Sequence, residues 1–275
     1  MPNSESIKQI FEQQKSGLLD GLQKSGHPVA VLFGGQAACG KSALISKANE
    51  LYPNTSFLNI DGDQYRIFHP DYKRLTHDYY SFSEQTQICS SIFTQGLIQA
   101  AINNHYSTTI EGTLRTLETP LRTATELRKN GFKVCVMTIA APNELTELGV
   151  LIRYAQEIRR KGVGRLVDFK SARLAYDNMP STVDVLYSRQ AVDEIYIYSR
   201  FANTLEMNYV LNNRNWNSKD IPSNIIETSR QRQRQNQVEI GRIISLSEQL
   251  RGYIPAEVKS LFEEKLQAVQ SLIKS

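Results

Sequence analysis

The stretch VAVLFGGQAACGKS, residues 29–42, decides the fold of this chain. Its second part fits the pattern G-x-x-x-x-G-K-[S/T], in which the backbone N–H groups of a glycine-bearing loop converge on phosphate oxygens. The apolar run at residues 29–33 is typical of a buried parallel strand. A helix that opens near Lys41 points its positive end at the same phosphates. Since strand, loop and helix follow in the order that the motif requires, we predict a phosphate-binding loop at residues 35–42.

Each part of this loop has an expected role. Gly35 and Gly40 let the backbone turn sharply. Lys41 can reach the β- and γ-phosphates of ATP, and the Ser42 hydroxyl can ligate Mg²⁺. Cys39 occupies a free position of the pattern, and we expect it to face neither phosphate nor metal. The predicted cofactor-binding residues are Gly35, Gln36, Ala37, Ala38, Cys39, Gly40, Lys41 and Ser42. The alternative is a glycine-rich turn with a chance lysine.

Strands and helices alternate on both sides of the loop. The predicted strands after residues 29–33 are 57–60, 108–110, 133–140 and 193–198. The predicted helices of this part are 4–25, one opening near Lys41, 82–104, 120–130 and 143–160. Strict alternation indicates a mainly parallel sheet that helices cover on both faces.

After about residue 203 the pattern changes. A strand and turn are predicted at 209–211, and helical patterns follow at 223–250 and 256–274. We therefore divide the chain into three parts, which are an N-terminal helix (1–27), a phosphate-loop core (28–203) and a C-terminal strand/turn and helical extension (204–275).

The segment SRQRQRQNQ, residues 229–237, raises the question of RNA binding. Its net charge is modest and no aromatic residues are interleaved, so we interpret it as a solvated helix face.

The composition fits a globular chain of ordinary class. The 275 residues are 40% hydrophobic and 22% charged, and the net charge of +4 is too small to indicate a nucleic-acid or membrane-surface partner. The N-terminus lacks the pattern of a secretion signal, and no apolar run reaches the roughly 18 residues of a membrane helix. Three cysteines without metal-ligand spacing indicate neither a disulfide framework nor a zinc site. We expect a cytoplasmic protein without nucleic-acid or membrane partners.

Carboxylates flanked by glycine follow two of the predicted strands. Asp61 and Asp63 come after strand 57–60, and Glu111 comes after strand 108–110. Ligands of an open parallel sheet bind beyond the carboxyl ends of its strands, which is where these acids would lie. Asp63 is the better candidate for a general base because it lies further past its strand. Helix capping is the alternative for either aspartate.

Two arginines are candidates for contacting phosphates. Arg153 lies on the predicted helix 143–160, and Arg165 follows the glycine-flanked basic loop 161–164. A mobile loop that brings an arginine over the phosphates can neutralise charge that develops during phosphoryl transfer. Arg159 and Arg160 are expected to face solvent.

In this order the motifs resemble the zeta toxin family, the kinase toxins of bacterial epsilon/zeta toxin–antitoxin systems. The resemblance covers about residues 28–200, and its E-G-T-x-R-T segment is far more specific than the phosphate loop. The matching motifs are the phosphate loop, IDGD at 60–63 with His69-Pro70, IEGTLRT at 110–116 and LIRY at 151–154.

The resemblance implies an ATP- and Mg²⁺-dependent kinase that phosphorylates the 3′-hydroxyl of the sugar in UDP-N-acetylglucosamine. It also implies a small helical antitoxin protein as partner. The residues that it assigns to catalysis are Asp63 as base, Lys41, Arg153 and Arg165, with Ser42 as the Mg²⁺ ligand. The residues that it assigns to the UDP-sugar are Asp61, Gln95, Glu111, Thr113 and Arg115.

The sequence departs from the family pattern at two places. Gln95 stands where the family usually has a glutamate, sixteen residues before Glu111, so the carboxylate charge is lost there. Residues 166–169 also lack the usual A-T-P sequence. These departures keep two alternatives open, which are another small-molecule P-loop kinase (an antibiotic or nucleotide-metabolite phosphotransferase) and a non-catalytic nucleotide-binding module.

The predicted fold is α/β, a P-loop kinase-like three-layer architecture with a mainly parallel sheet and a C-terminal helical extension. The helical segments 4–25 and 223–274 lie outside its core. They could inhibit in cis, form part of an antitoxin-docking surface or pack on the sheet. We favour packing, since most helical stability comes from burying an apolar face.

Overall fold

A computed structural model describes residues 4–75, 81–162, 164–201 and 203–274 of the chain. Its strands are β1 (Val29–Gly34), β2 (Leu58–Ile60), β3 (Thr108–Ile110), β4 (Lys133–Ala140), β5 (Glu194–Ser199), β6 (Leu205–Asn212) and β7 (Asn215–Trp216). Its helices are α1 (Ser4–Leu18), α2 (Ser42–Leu51), α3 (Tyr72–Leu75), α4 (Phe82–Gln85), α5 (Gln87–Asn104), α6 (Glu118–Lys129), α7 (Asn143–Lys161), α8 (Phe169–Ser188), α9 (Pro222–Arg234), α10 (Gln237–Leu250) and α11 (Ala256–Lys274). Two 3-10 helices span Gln64–Phe68 and Arg251–Tyr253.

In the described part of the chain the strands form one sheet in the order β2-β3-β1-β4-β5-β6-β7. The first five of these run parallel, while β6 and β7 add an antiparallel edge. This confirms the predicted α/β fold with a mainly parallel sheet. The phosphate-loop segment follows β1, the middle one of the five parallel strands, so the candidates that follow parallel strands lie along the carboxyl-end edge of the sheet.

The two faces of the sheet are covered by different helices. Ala30, Leu32, Val134 and Val136 face a core that α1, α5, α6, α8 and α9 complete. Val31 and Met137 point the other way, toward Leu44 and Ala48 of α2. A further apolar cluster joins α7 to α10 and α11. The result is the expected arrangement of helix, sheet and helix in three layers.

Packing on the sheet, which we favoured for both terminal segments, is confirmed for α1 and α9 but not for α10 and α11. Ile7 and Phe11 of α1 are buried in the cluster that contains α5, and a Cβ on Gly96 of α5 would lie 2.4 Å from the Phe11 ring. The predicted helix 4–25 is too long, because α1 ends at Leu18 and Lys24 instead forms a bridge with Tyr106. At the other terminus α10 and α11 pack on α7. The division at residues 27, 203 and 275 stays a prediction.

Two helices predicted as continuous are broken. The segment 82–104 divides into α4 and α5 at Thr86, whose hydroxyl donates a hydrogen bond of 2.6 Å to the Phe82 carbonyl and accepts one of 2.8 Å from Arg66. The segment 223–250 divides into α9 and α10, where the Asn236 side chain accepts a hydrogen bond from the Glu239 N–H and so caps α10. Helix α8 was not predicted from the sequence.

The interpretation of residues 229–237 as a solvated helix face is only partly right, since Gln231, Arg232, Gln235 and Gln237 are exposed but three other residues of the stretch are not. Ser229, Arg230 and Gln233 are buried, and Arg230 is only 1% exposed. The Arg230 guanidinium lies 3.7 Å from the centroid of the Tyr176 ring and donates to the Tyr176 carbonyl at 2.9 Å. Because Tyr176 of α8 supplies these contacts, α9 turns Arg230 inward while Gln231 and Arg232 face solvent.

Among the helices of the described segments, none combines the length and apolarity that a membrane crossing needs.

Candidate active site

The phosphate loop closes around its own lysine. Gly35 and Gly40 have φ values of +134° and +106°, which residues with a side chain rarely adopt. A Cβ on Gly35 would also lie 2.7 Å from the Sγ of Cys39, which is fully buried. Lys41 Nζ donates hydrogen bonds to the carbonyl oxygens of Gly35 and Gln36, at 2.8 and 3.1 Å. The ammonium group is thereby held inside the curve of the loop, beside the start of α2.

Two neighbouring segments fix the position of the loop. The Gly35 N–H donates to the Thr113 carbonyl at 3.4 Å, which ties the loop to the segment after β3. The Gln36 amide donates to the Ala141 carbonyl at 3.0 Å and to the Thr146 hydroxyl at 3.3 Å. The loop therefore sits between the ends of β3 and β4, where the sheet architecture places ligands.

The three predicted acids come together beside the loop. The Glu111 N–H donates to the Ile60 carbonyl at 2.8 Å, which sets the ends of β2 and β3 side by side. Asp61 accepts a hydrogen bond of 3.0 Å from the Asp63 N–H, which closes the turn before the 3-10 helix, and Asp63, the N-cap residue of that helix, makes no side-chain capping bond. Burial raises the pKa of Glu111, as do the negative charges of Asp61 and Asp63, while Lys41 opposes this shift. These shifts indicate one electrostatic site.

Asp63 is held between two arginines. Its Oδ2 accepts from Nη2 of Arg165 at 2.8 Å, and its Oδ1 accepts from Nε of Arg66 at 2.9 Å. Partial burial acts to raise the pKa of Asp63, but the ion pair with Arg165 and then that with Arg66 outweigh it. The pKa is lowered to about 2. The carboxylate is therefore fully ionised near neutral pH, with its side chain 50% exposed.

Arg66 is a functional candidate that the sequence analysis missed. It is 7% exposed and lies one helical turn after Asp63, on the 3-10 helix Gln64–Phe68. Its guanidinium also donates to the Ser83 carbonyl and the Thr86 hydroxyl, both at 2.8 Å. An arginine three residues after a candidate base was the available signal. Its contacts with the α4–α5 junction could not be seen in the sequence.

The segment after α7 folds back and carries Arg165 to Asp63. The Arg165 N–H donates to Glu157 at 2.8 Å, and a Cβ on Gly164 would lie 2.7 Å from the Tyr154 carbonyl oxygen. The guanidinium lies 5.9 Å from the centroid of the Phe82 ring. Its Nε is buried without a hydrogen-bond partner among the described residues. Val163, part of the predicted basic loop, lies outside the described residues.

Helix α7 runs along the phosphate loop. Thr146 contacts Gln36, and one turn later a Cβ on Gly149 would lie 3.2 Å from the Cβ of Ala38. Arg153 follows Gly149 by four residues and so shares its helix face. Arg153 is exposed, and so are Arg159 and Arg160, as predicted.

Two further substrate candidates, Arg115 and Gln95, are exposed. The Arg115 carbonyl accepts a hydrogen bond of 3.0 Å from the Asn178 amide, and its side chain is exposed. Gln95 is exposed on α5. Helix α5 approaches the turn of residues 61–63 (the aspartate turn) closely, since a Cβ on Gly62 would lie 2.5 Å from Oγ of Ser90. No group of three or more metal-ligating side chains occurs within the described segments.

A phosphate loop on the middle strand of five parallel strands, with acids at the ends of two strands beside it, defines a P-loop kinase-like α/β protein. The model of the zeta toxin family matches residues 15–217. The chain belongs to this family.

Two curated relatives are similar in sequence. Toxin PezT of Streptococcus pneumoniae is 34% identical over 152 residues, a match that covers 54% of this chain and 59% of PezT. Toxin zeta of Enterococcus hirae is 28% identical over 197 residues, covering 70% of this chain and 68% of the relative. The first match thus spans about three fifths of the relative's length.

Two solved structures are similar in fold. A chain of the PezAT chromosomal toxin–antitoxin system of Streptococcus pneumoniae has a TM-score of 0.72 and 20% identity, with 98% of each chain covered. A chain of AvrRxo1-ORF1:AvrRxo1-ORF2 with ATP has a TM-score of 0.53 and 12% identity, covering 98% of this chain and 88% of the other. At these identities the likeness supports the fold alone.

Proposed function

We propose that this chain is an ATP-dependent phosphotransferase of the zeta toxin type. Its acceptor is the 3′-hydroxyl of the sugar in UDP-N-acetylglucosamine or a related UDP-sugar, and its action blocks the synthesis of a cell-wall precursor. The observation that carries the proposal is the position of Asp63, an ionised carboxylate paired with Arg165 on the edge that holds the phosphate loop. Membership of the zeta toxin family supports the same reaction.

Phosphoryl transfer needs mainly positioning and charge stabilisation from the protein. Asp63 accepts the proton of the sugar hydroxyl as that oxygen attacks the γ-phosphorus of ATP and the bond to the β-phosphate oxygen breaks. Arg165 turns from Asp63 toward the phosphates, a movement that its unpaired Nε favours. When Arg165 leaves, the pKa of Asp63 rises, and the carboxylate becomes a stronger base at the moment that substrate is present.

The cations of the site stabilise the transferring group. Lys41 exchanges the carbonyl oxygens of Gly35 and Gln36 for phosphate oxygens, which carry more charge. Arg153 approaches from α7 on the side of Gly149. Asp61, Glu111, Thr113, Arg115 and Gln95 bind the UDP-sugar.

The residues present fit Mg²⁺ bound together with a nucleotide. The exposed Ser42 at the start of α2 would hold the ion with phosphate oxygens, and the acids beside the loop make the region favourable for a cation. When bound, Mg²⁺ neutralises charge on the phosphates.

A small helical antitoxin protein is the proposed partner. PezT, a relative in sequence, carries the name of a toxin, and the PezAT structure is that of a toxin–antitoxin system. A kinase that consumes an essential precursor must be restrained in the cell that makes it. The terminal helices are packed into the fold rather than free to act as inhibitors. The kinase activity is therefore restrained by a separate protein.

The test is to incubate the chain with ATP, Mg²⁺ and a panel of UDP-sugars, and to read the products by mass spectrometry. We expect one phosphoryl group on UDP-N-acetylglucosamine or a close analogue, and none with Lys41→Ala. Phosphorylation of an antibiotic or a nucleotide metabolite alone would identify a different small-molecule kinase. ATP binding without transfer to any acceptor would indicate a non-catalytic nucleotide-binding module.

A further inference from the structure

Another arginine reaches the phosphate loop from the end of β5. Arg200 directly follows the last residue of that strand, so it lies at the same edge of the sheet as residues 35–42. Its Nη1 donates a hydrogen bond to the carbonyl oxygen of Ala38. Ala38 has a φ of +57° and forms part of the tight turn of the loop. Arg200 belongs to none of the motifs by which the site was predicted.

Two helices hold Arg200 in this position. The Oε1 atom of Gln233 on α9 accepts a hydrogen bond of 3.0 Å from the Arg200 N–H, while its Nε2 donates to the Ala140 carbonyl at 2.6 Å. On α7, a Cβ on Gly149 would lie 3.3 Å from Nη2 of Arg200 and 3.2 Å from the Cβ of Ala38. The glycine therefore makes room for the guanidinium beside the loop.

The guanidinium is a partly buried cation that lacks an acidic partner. Within the described segments no carboxylate pairs with Arg200, and the Ala38 carbonyl is its side-chain acceptor. Burial lowers the pKa of Arg200, which is the expected direction for a cation whose lost hydration no anion replaces. An arginine has five N–H donors, so Nε and Nη2 retain capacity for an anionic ligand.

We propose that Arg200 binds the phosphate chain of the nucleotide, with one edge of its guanidinium held by Ala38 and the other free for phosphate oxygens. The planar fork of an arginine matches such oxygens better than the ammonium of a lysine does. This inference rests on the proposed function, since it requires a nucleotide at residues 35–42. Arg200 and Arg153 then approach the loop from β5 and α7.

The experiment measures the affinity of Arg200→Gln for ATP and ADP by calorimetry, and for adenosine by ligand-observed NMR, which tolerates weak binding. We expect Arg200→Gln to bind ATP and ADP with an affinity that is lower by roughly tenfold or more, which is the contribution of one charge-assisted hydrogen bond. Adenosine binding should be unchanged. Arg200→Lys should recover part of the loss. Arg189→Gln is the control, because it removes the same charge from an exposed position that precedes β5 in the chain. This variant should bind all three ligands normally.

Unchanged ATP affinity in Arg200→Gln would overturn the inference. Equal losses for ATP and adenosine would also overturn it, because they would indicate a distorted site or a contact with the base. If a thermal unfolding measurement shows that Arg200→Gln does not fold, the test passes to Arg200→Lys. That variant must then bind ATP more weakly and adenosine normally. ATP binding by the unmodified protein distinguishes a failure of the proposed function from a failure of the role of Arg200. If that protein binds no ATP, the proposed function fails; if it binds ATP and the variants do so equally well, only the role of Arg200 fails.

Discussion

At the scale of single residues, Lys41 has the clearest consequence. Its ammonium is held by two carbonyl oxygens of the loop, so removing it takes away both the proposed phosphate ligand and a support of the loop. We expect Lys41→Ala to lose phosphoryl transfer and to bind ATP at least about tenfold more weakly, since a hydrogen bond to a charged group contributes about 1.5–3 kcal/mol. Calorimetric titration measures this. An unchanged ATP affinity would show that residues 35–42 do not bind phosphate.

The ion pair between Arg165 and Asp63 predicts a shift in acid titration. Arg165→Gln removes the stronger of two cations, so the pKa of Asp63 should rise from about 2 toward its ordinary value of 3.8. NMR titration of the carboxyl carbon measures the shift. Arg173→Gln, which breaks an exposed pair with Asp177, is the control. If the titration of Asp63 is the same in both variants, Arg165 is not its partner in solution.

The same pair predicts how stability depends on pH. The pKa of Asp63 is lower in the folded protein than the ordinary 3.8, so its stabilising effect is fully present above pH 3.8 and is lost as the pH falls toward 2. Because the side chain is half exposed, the effect should be less than about 1 kcal/mol. The difference in free energy of unfolding between the unchanged protein and Arg165→Gln should therefore shrink over this range in urea titrations. A difference that grows on acidification contradicts the assignment.

Gln95 tests which sugar the site accepts. The residue is exposed on α5, the helix whose Ser90 packs beside Gly62 of the aspartate turn. If Gln95 contacts the sugar, Gln95→Glu should change the relative rates among UDP-sugars, because an amide and a carboxylate differ in what they hydrogen-bond. Gln99→Glu, one turn further along α5, is the control. An unaltered ranking of substrates would remove Gln95 from the binding site.

At the scale of elements, the contact between α1 and α5 depends on a glycine. A Cβ on Gly96 would lie 2.4 Å from the buried Phe11 ring, whereas a Cβ on Gly17 of α1 meets no atom within 4 Å. We expect Gly96→Ala to lower the free energy of unfolding by about 1–3 kcal/mol through overpacking. Gly17→Ala should raise it by up to about 1 kcal/mol through helix propensity. Urea denaturation measures the free energy of unfolding of both variants. Equal changes in the two would mean that α1 does not pack on α5.

The elements also show what the sequence could and could not predict. The strands 108–110 and 133–140 were predicted with their observed bounds, because both are rich in β-branched residues, which are enriched in strands. The phosphate loop, Asp63 and Arg165 could be proposed as site residues because they stand in local motifs, and the structure brings Arg165 to Asp63. The break at Thr86 was missed, because it depends on Arg66, twenty residues earlier in the chain. Burial of Arg230 likewise depends on Tyr176 of another helix. The local charge pattern predicted that this residue would be exposed.

At the scale of the whole molecule, the C-terminal helices are part of the fold. Val258, Phe262, Leu266 and Val269 of α11 are buried against α7 and α10. Each such side chain contributes about 1.5–3 kcal/mol, so losing all four removes a large share of the roughly 5–15 kcal/mol that stabilises a typical domain. We expect the chain without residues 256–274 to be unfolded or aggregated, as circular dichroism would show. A folded truncated protein with activity that the full chain lacks would establish inhibition in cis.

The full-length chain should therefore be toxic without a partner. Expressed alone in a bacterial host, it should arrest growth, whereas Lys41→Ala should be harmless. Co-expression of a small helical antitoxin should restore growth in trans. A harmless full-length chain that is well folded and abundant would contradict the toxin assignment.

The most direct test of the proposed mechanism is phosphoryl transfer by Asp63→Asn. The substitution removes the proposed base, and it leaves residues 35–42 and their contacts with Thr113 and Thr146 in place. With ATP, Mg²⁺ and UDP-N-acetylglucosamine, we expect the unmodified protein to form a phosphorylated sugar nucleotide. Asp63→Asn should transfer at least about 100-fold more slowly, the lower end of what a general base contributes, and should retain its ATP affinity. Undiminished transfer by Asp63→Asn would remove Asp63 from the mechanism.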